Sequence, residues 1–468
     1  MDAYTANKKI SPTDASPKDS SRPGEIVCWD PSTMDFLGTV KAFTPADVIA
    51  ASDRARKAQE SWKSTTFAER RMLLQIFQRC ILANMDGICR ISCRDSGKTR
   101  LDAMLSEVLC TLEKLRWMIA SGEQYLKPEY RESGIMNRHK TSRVEYHPVG
   151  VVGAIVPWNY PFHNVFNPLI ASVFAGNAVV IKTSEYASWS TKYYGRLIKM
   201  CLEAASAPPE LVQIVTGFGE AGGALAEGAC DKLVFVGSVD VGKKVQMTCA
   251  QSLVPLVLEL GGKDPFIVCD DAIPSALAQI AVRGAFQNMG QNCAGPERFL
   301  VYEKVYDEFC TLVADIVNTT HQGPPLGHEL VDCGALRLPT HGKTMQALVD
   351  DAVRKGARVL AGGFLPKKGS RLSEGQFYPP TVLVDVTEEM NIMHKEIFGP
   401  ILCIAKVKGN SDDEAIRMAN NCDFGLSSCC FSASKSRANK ILASVKAGMA
   451  AVNDLEGVTY MSQSLPFG

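Results

Sequence analysis

Apolar positions along this chain follow two rhythms. Thr44-Pro45-Ala46-Asp47 reads as a helix start, with a capping threonine, a proline in the first turn and an acid three residues on. Val48, Ala51, Ala55, Ala58 and Trp62 then recur at helical spacing. The same spacing predicts helices over residues 67–84, with Leu73, Ile76, Phe77, Cys80 and Ile81 as the apolar stripe, and over residues 101–121. From Val151 the rhythm changes. Short runs rich in Val and Ile recur at 151–156, 178–182, 212–216, 233–236, 257–260 and 266–269, separated by helix-compatible stretches such as 166–175 and 189–205. That alternation predicts βαβ units and a largely parallel sheet. A second α/β region follows Gly290. Its strands fall near 298–301, 381–384, 401–407 and 427–431, and its helices near 305–318, 345–355, 412–420 and 435–445. Parallel sheets place ligands beyond the carboxyl ends of their strands, so the residues just after each run are where chemistry is sought.

Composition narrows the field. Among 468 residues, 50 Lys+Arg balance 50 Asp+Glu, so no bulk charge draws the chain to nucleic acid or an anionic membrane. Length alone sets an expectation of about three domains. No run of ~18 apolar residues predicts a spanning helix. Residues 1–22 are polar, with Lys8, Lys9 and Lys18, and lack the apolar stretch of a secretory signal. They are expected to form a disordered tail, and the chain to be cytoplasmic. The 16 cysteines are scattered from Cys28 to Cys430 without a C-x-x-C pair, and the seven histidines are dispersed. Neither a disulfide scaffold nor a metal site is expected, and most cysteines read as small buried fillers.

Certain residues break the apolar pattern in ways that chemistry could use. Cys293 ends Gly290-Gln291-Asn292-Cys293, just past a predicted helix at 280–288. It reads as a nucleophile if its pKa falls, or as another filler. Glu259 interrupts the apolar run 256–260 and is followed by Gly261-Gly262-Lys263. A buried carboxylate there would gain strength as a base; the alternative is a salt bridge to Lys263. Asn159 sits in the stiff turn Pro157-Trp158-Asn159-Tyr160-Pro161-Phe162, as an oxyanion donor or merely a turn-shaping amide. Lys182 and Glu185 follow a strand and could hold a sugar edge. Gly237-Ser238 precede a predicted helix whose amides could receive phosphate, although G-x-G-x-x-G is absent.

Together and in this order, the motifs resemble those of the NAD(P)-dependent aldehyde dehydrogenase superfamily. The matching stretches are Pro157-Trp158-Asn159, Lys182-Thr183-Ser184-Glu185, Phe235-Val236-Gly237-Ser238, Glu259-Leu260-Gly261-Gly262-Lys263, Gly290-Gln291-Asn292-Cys293 and Glu396-Ile397-Phe398-Gly399-Pro400. The chain closes on Leu465-Pro466-Phe467-Gly468, similar to the start of the family's P-F-G-G motif. Residues 164–168 and 294–298 look most like the plant family-22 branch and its fungal relatives.

The resemblance implies an α/β fold of two Rossmann-like parallel-sheet domains with a small bridging oligomerisation element. The implied NAD-binding domain is 23–133 with 150–260, the hairpin 134–149 and the catalytic domain 261–454. Cys293 would attack the aldehyde carbonyl, with Asn159 and its own backbone N–H holding the oxyanion. Hydride transfer to the nicotinamide would leave a thioester, and Glu259 would activate the water that hydrolyses it. Pro157, Trp158, Lys182, Glu185, Gly217, Gly237, Ser238, Glu396 and Phe398 would hold the cofactor. Glu185 favours NAD over NADP, because a carboxylate at the ribose 2′-hydroxyl repels a 2′-phosphate; Lys182 leaves NADP open.

The implied substrate is an uncharged aldehyde in a tunnel formed by Phe162, Phe166, Asn292, Ala294 and residues 455–461, whose apolar character points to medium or long chains. The implied partner is a second copy of the chain, in a homodimer or tetramer. Relatives continue past this motif to a strand that joins a neighbouring subunit, so residues 455–468 read as the start of a shortened C-terminal segment. The branch's N-terminal anchor is not found. Two other readings stay open: a weakly active or inactive NAD-binding assembly protein, and a coenzyme A-acylating dehydrogenase. Members of the latter group generally lack the Glu259 base.

Overall fold

The computed structural model describes residues 9–12 and 15–467. The expected tail does not stay apart from the fold. Ile10 donates its N–H to Met34 O at 2.8 Å, and Pro17 O accepts from Val27 N at 2.9 Å. Ala15 is buried in a small cluster with Val27, Trp29 and Met34. A few apolar side chains in a polar segment suffice to dock it against Trp29. Residues 1–8, 13 and 14 of that expected tail lie outside the described residues, as does Gly468 of the closing motif.

The predicted first helix forms as Pro45–Trp62, with reciprocal Thr44–Asp47 capping. The second, Phe67–Ala83, starts with an equivalent Thr66–Glu69 box. The stretch predicted as one helix over 101–121 divides into Arg100–Ala103, a π-helical turn at Met104–Leu109 and Cys110–Ser121. The π-turn contains Glu107, which is fully buried. One extra residue in the turn redirects that carboxylate inward, as π-bulges do at functional sites.

Five parallel strands make the first sheet, in the order Val212–Val215, Ala178–Thr183, Val151–Val156, Lys232–Val236, Leu256–Glu259. Every residue of Ala178–Thr183 is buried, as expected for a parallel strand covered on both faces. A second sheet runs Arg358–Ala361, Thr381–Val384, Ile401–Val407, Pro296–Tyr302, Asp264–Val268, Ser427–Phe431, Met449–Val452. All its pairings are parallel except that of Arg358–Ala361 with Thr381–Val384. The apolar run near 266 continues the rhythm of the first set, yet it pairs in this second sheet.

Each sheet has its own hydrophobic core. Both α/β units of the implied fold class are therefore present, each with a largely or wholly parallel sheet. Leu260-Gly261-Gly262-Lys263 carries the chain from the last strand of one sheet, at Glu259, to the central region of the other, at Asp264. A separate two-stranded ribbon pairs Glu129–Arg131 with Ser142–Val144, antiparallel. The first strand lies ahead of the expected 134–149 hairpin, and Ile135–Asn137 form a helical turn between the strands. Among the described residues, no helix is long and apolar enough to cross a membrane.

Candidate active site

Because the five strands of the first sheet run parallel, their carboxyl ends share one edge. The turn Pro157-Trp158-Asn159 follows Val156, Glu185 follows Thr183, Gly217 follows Val215, Gly237-Ser238 follow Val236, and Glu259 ends the last strand. Lys182 is the penultimate residue of its strand and buried, and its Nζ stands 3.6 Å from Glu185 Oε2. Burial lowers its pKa, and Glu185 opposes that shift. Thr183 Oγ1 is buried there without a hydrogen-bond partner. Ser238 is the N-cap of the helix Val239–Ser252 but its side chain makes no capping bond. A polar edge with an orphaned hydroxyl, an uncapped helix N-terminus and glycine at two strand ends fits a dinucleotide. Gly217 also permits close packing, since a Cβ there would lie 2.8 Å from Ala221 Cβ and 3.0 Å from Phe43 O.

Cys293 lies across the domain junction from this edge. Asn288, Met289 and Gly290 all take positive φ, at 52°, 59° and 65°. Consecutive left-handed residues are costly and persist only where surrounding contacts hold them. Here Asn288 Nδ2 donates to Asn159 O and Gln291 O, both at 3.0 Å, and Gln291 Nε2 returns a bond to Asn288 O at 3.0 Å. Asn159 Nδ2 also donates to Gln291 O, at 3.1 Å, which ties its amide to the loop that presents Cys293. Gly290 is required, because a Cβ would collide with the Gly399 carbonyl.

The Cys293 thiol faces Glu259. Cys293 lies deep in the protein yet keeps part of its surface open to a cavity. Burial, then the adjacent Glu259, pushes its pKa well above the ordinary thiol range. Glu259 is itself pushed up to about 7 by burial, against a smaller lowering from the thiol. One of its oxygens, Oε1, is buried without a hydrogen-bond partner. The alternative salt bridge from Glu259 to Lys263 does not form. Lys263 Nζ instead pairs with Glu297 Oε2 at 2.7 Å. Gly261 and Gly262 are the reason the junction can close: a Cβ on the first would strike the Glu396 carboxylate, and on the second the Cys293 carbonyl. Glu396 Oε1 accepts from Gly262 N at 3.1 Å, and burial raises the Glu396 pKa to about 8. Phe398, at φ 50°, packs edge-on against Trp158 with ring centroids 5.7 Å apart.

Several supporting charges are not evident from the sequence pattern. Glu297 accepts from the amides of Ile397 and Phe398 and so fixes the loop that carries Glu396 and Phe398. Lys98 and Glu107, both fully buried, pair at 2.7 Å. Lys98 Nζ also donates to Asn159 O at 2.7 Å, while Glu107 Oε2 accepts from Phe162 N at 2.6 Å. This pair therefore holds the turn carrying Asn159 from both sides. Glu107 left one trace in the sequence: it shares a helical face with Val108, Thr111 and Leu115, where a charge has no business unless paired.

The cavity above Cys293 has a volume of about 1030 Å³. Asn159, Glu259, Asn292, Cys293 and Ala294 line it, as do Leu455 and residues 457–461. Phe162 and Phe166 do not. They are buried in the core of the first unit, where they pack against each other and against Tyr194 and Phe77. Both sit on the inner face of the helix Pro161–Phe174, whereas His163, Asn164 and Asn167 face the cavity.

Comparison with known proteins agrees with this architecture. The model of the aldehyde dehydrogenase family matches residues 18–468. An aldehyde dehydrogenase-like protein of Saccharomyces cerevisiae is 40% identical over 95% of this chain and 70% of its own length. One from Schizosaccharomyces pombe is 39% identical over 95% of this chain and 84% of its own. The fold is also that of the aldehyde dehydrogenase from Bacillus cereus in its NAD+ complex, with TM-score 0.85 and 29% identity over 92% of this chain and 85% of that one. The chain belongs to the aldehyde dehydrogenase family and is an aldehyde-oxidising enzyme.

Proposed function

We propose that the enzyme oxidises an aldehyde to the free acid with NAD, through a thioester on Cys293. The observation that carries this reading is the buried Glu259 carboxyl facing the Cys293 thiol at the wall of the cavity. A carboxylate titrating near 7 can take the thiol proton, release it to solvent and then take a proton from water. Cys293 Sγ forms the bond to the carbonyl carbon, and the carbonyl electrons move to oxygen. The oxyanion is received by the Cys293 N–H and by the second Asn159 Nδ2 hydrogen, the first being held by Gln291 O. Bound NAD would supply the acceptor for the hydride on that carbon, whose loss returns the oxyanion electrons to C=O and leaves the thioester on Cys293. Glu259 then deprotonates water; the hydroxyl oxygen bonds to the acyl carbon, the C–S bond breaks, and the thiolate leaves.

Lys182, Glu185, Gly217, Gly237 and Ser238 would hold the adenosine and pyrophosphate end of the cofactor. Pro157, Trp158, Glu396 and Phe398 would hold the nicotinamide end. The Glu185 carboxylate favours NAD, and Lys182 admits NADP. The base favours hydrolysis over acyl transfer to coenzyme A. The ribbon at 129–144, with Tyr130, Ile135 and Met136 strongly exposed, supports assembly as a homodimer or tetramer.

Purified protein with NAD and a panel of aldehydes tests this. Cys293→Ala is expected to make no NADH while still binding NAD. Glu259→Gln is expected to give a burst of NADH followed by slow turnover. Substantial steady-state activity in Cys293→Ala would refute the nucleophile.

A further inference from the structure

The cavity walls carry little charge. Among the described residues that line it, Glu259 and Lys114 are the acid and the base, and no Asp or Arg joins them. Glu259 belongs to the reacting end. Lys114 has no part in the chemistry proposed above. Among the described residues, no ion pair, hydrogen bond or ring contact engages its ammonium, although its neighbour Glu113 pairs outward with Arg116. Its side chain is half-buried on the cavity wall, and burial alone lowers its pKa. A partly desolvated ammonium without a counter-charge is costly, and long side chains ordinarily snorkel to water.

The surroundings do nothing to quench this charge. Cys110, one helical turn before Lys114, also lines the cavity, with Leu105 and Leu109 beyond it. His163 stands nearby, but it is neutral: burial, then Lys114, holds its pKa down to about 3. Its ring is engaged on both sides, by Thr111 Oγ1 at 2.9 Å and Tyr460 Oη at 2.6 Å. Asn167 Nδ2 donates to the same Tyr460 oxygen at 3.2 Å. Lys114 is carried by the helix Cys110–Ser121, whereas Glu259 ends the strand Leu256–Glu259 of the first sheet, so the two charges enter the cavity from different elements. Leu105, Leu109, Leu455 and Val458 supply apolar wall for a short carbon chain.

We propose that Lys114 is a specificity-determining residue that receives a carboxylate at the far end of the substrate, so that the preferred aldehyde is the semialdehyde of a dicarboxylic acid. This rests on the aldehyde-oxidising reading of the cavity and replaces the uncharged substrate expected from its apolar residues. An ω-carboxylate would supply the missing counter-charge through a charge-assisted hydrogen bond in a partly desolvated site. Hydrogen bonds to charged groups correspond to roughly 10- to 100-fold in affinity.

The test reads binding separately from turnover. Succinate, glutarate and adipate are titrated calorimetrically into the full chain with NAD present, each against the monocarboxylate of equal length. Both members of a pair place a carboxylate at the reacting end; they differ only at the far end. At least one dicarboxylate is expected to bind tenfold or more tightly than its partner. Lys114→Met and Lys114→Gln should both erase that ratio, and Lys114→Arg should restore much of it. Equal affinities in the wild-type protein, or a ratio that survives both variants, would overturn the proposal. NADH production from semialdehydes and alkanals of matched length is then compared. If no aldehyde is oxidised while the Lys114-dependent preference persists, the catalytic reading fails and the anion site stands. If alkanals and semialdehydes are oxidised with equal kcat/KM, the catalytic reading stands and the proposal fails.

Discussion

Removing the Glu259 charge should stabilise the protein, increasingly so as pH rises from about 4.5 to above 7. Glu259 has a folded-state pKa of about 7 against an ordinary value of 4.5, because burial disfavours its charged form. The raised value means the folded state holds the proton more tightly than the unfolded chain. Below about pH 4.5 both states are protonated and the contribution to stability is fully present. As pH rises toward 7 the unfolded chain ionises first, and stability is lost until the folded carboxyl ionises too. Each pKa unit of difference is about 1.4 kcal/mol, so the full loss is about 3 kcal/mol. Glu259→Gln keeps the shape and cannot titrate. Its stability relative to wild type should therefore grow by about 3 kcal/mol between pH 4.5 and pH 8.

Urea unfolding of the two proteins at pH 5 and pH 8 measures this, as does thermal melting. At about 2.1 cal/mol/K per residue, unfolding this chain has an entropy near 1 kcal/mol/K, so the relative Tm gain is about 3 °C. Other shifted groups, Glu396 among them, titrate in both proteins and largely cancel in the difference. A stability difference that is flat with pH, or that grows toward acid, would refute the reasoning. The same substitution should slow thioester hydrolysis, so the position trades stability for a base of useful strength.

Three further outcomes follow from the site. In wild type, the rate of thioester hydrolysis should rise with pH through about 7, where Glu259 becomes ionised, and a pH–rate profile of Glu259→Gln should lack that limb. Asn159→Ala should lower kcat by roughly 10²–10³-fold, as loss of one oxyanion donor does, with NAD affinity retained; a drop below threefold would count against that role. Lys98→Met leaves Glu107 buried and unpaired and should cost about 3–5 kcal/mol in chemical denaturation, while Lys98→Met with Glu107→Leu should recover most of it. A cost under 1 kcal/mol for the single change would show that Glu107 finds another partner.

What the sequence disclosed and what it hid divide along physical lines. Capping residues act within one turn, so Thr44 and Asp47 announced the first helix before any tertiary contact was known. Runs of β-branched residues announced the buried central strands for the same local reason. The edge strands Arg358–Ala361 and Met449–Val452 escaped notice, being four residues long and poor in such residues. The unexpected strands Glu25–Trp29 and Phe36–Lys41 pair only with each other, through a register shift at Cys28–Trp29 that blurs their alternation.

In the site, the residues legible in sequence are those that a parallel sheet must deliver to one edge: Asn159, Lys182, Glu185, Ser238 and Glu259. Their placement follows from strand direction. The charges that hold them do not, because a lysine reads as surface until its partner is known. Lys98 finds an acceptor 61 residues away, and Glu297 holds amides 100 and 101 residues away. Phe162 and Phe166 err in the opposite sense. Aromatic character drew them toward the substrate, yet it is the reason they turned inward, leaving His163, Asn164 and Asn167 on the cavity side of the same helix. Lys114 extends the argument. Its neighbours on the predicted helix gave it no distinction; its place, half-buried on the cavity wall and without a partner among the described residues, does. The two fully buried lysines each have a carboxylate within 3 Å: Lys98 has Glu107 and Lys263 has Glu297. A cation that the fold draws inward and leaves unmatched is the one whose counter-charge should come from outside the chain.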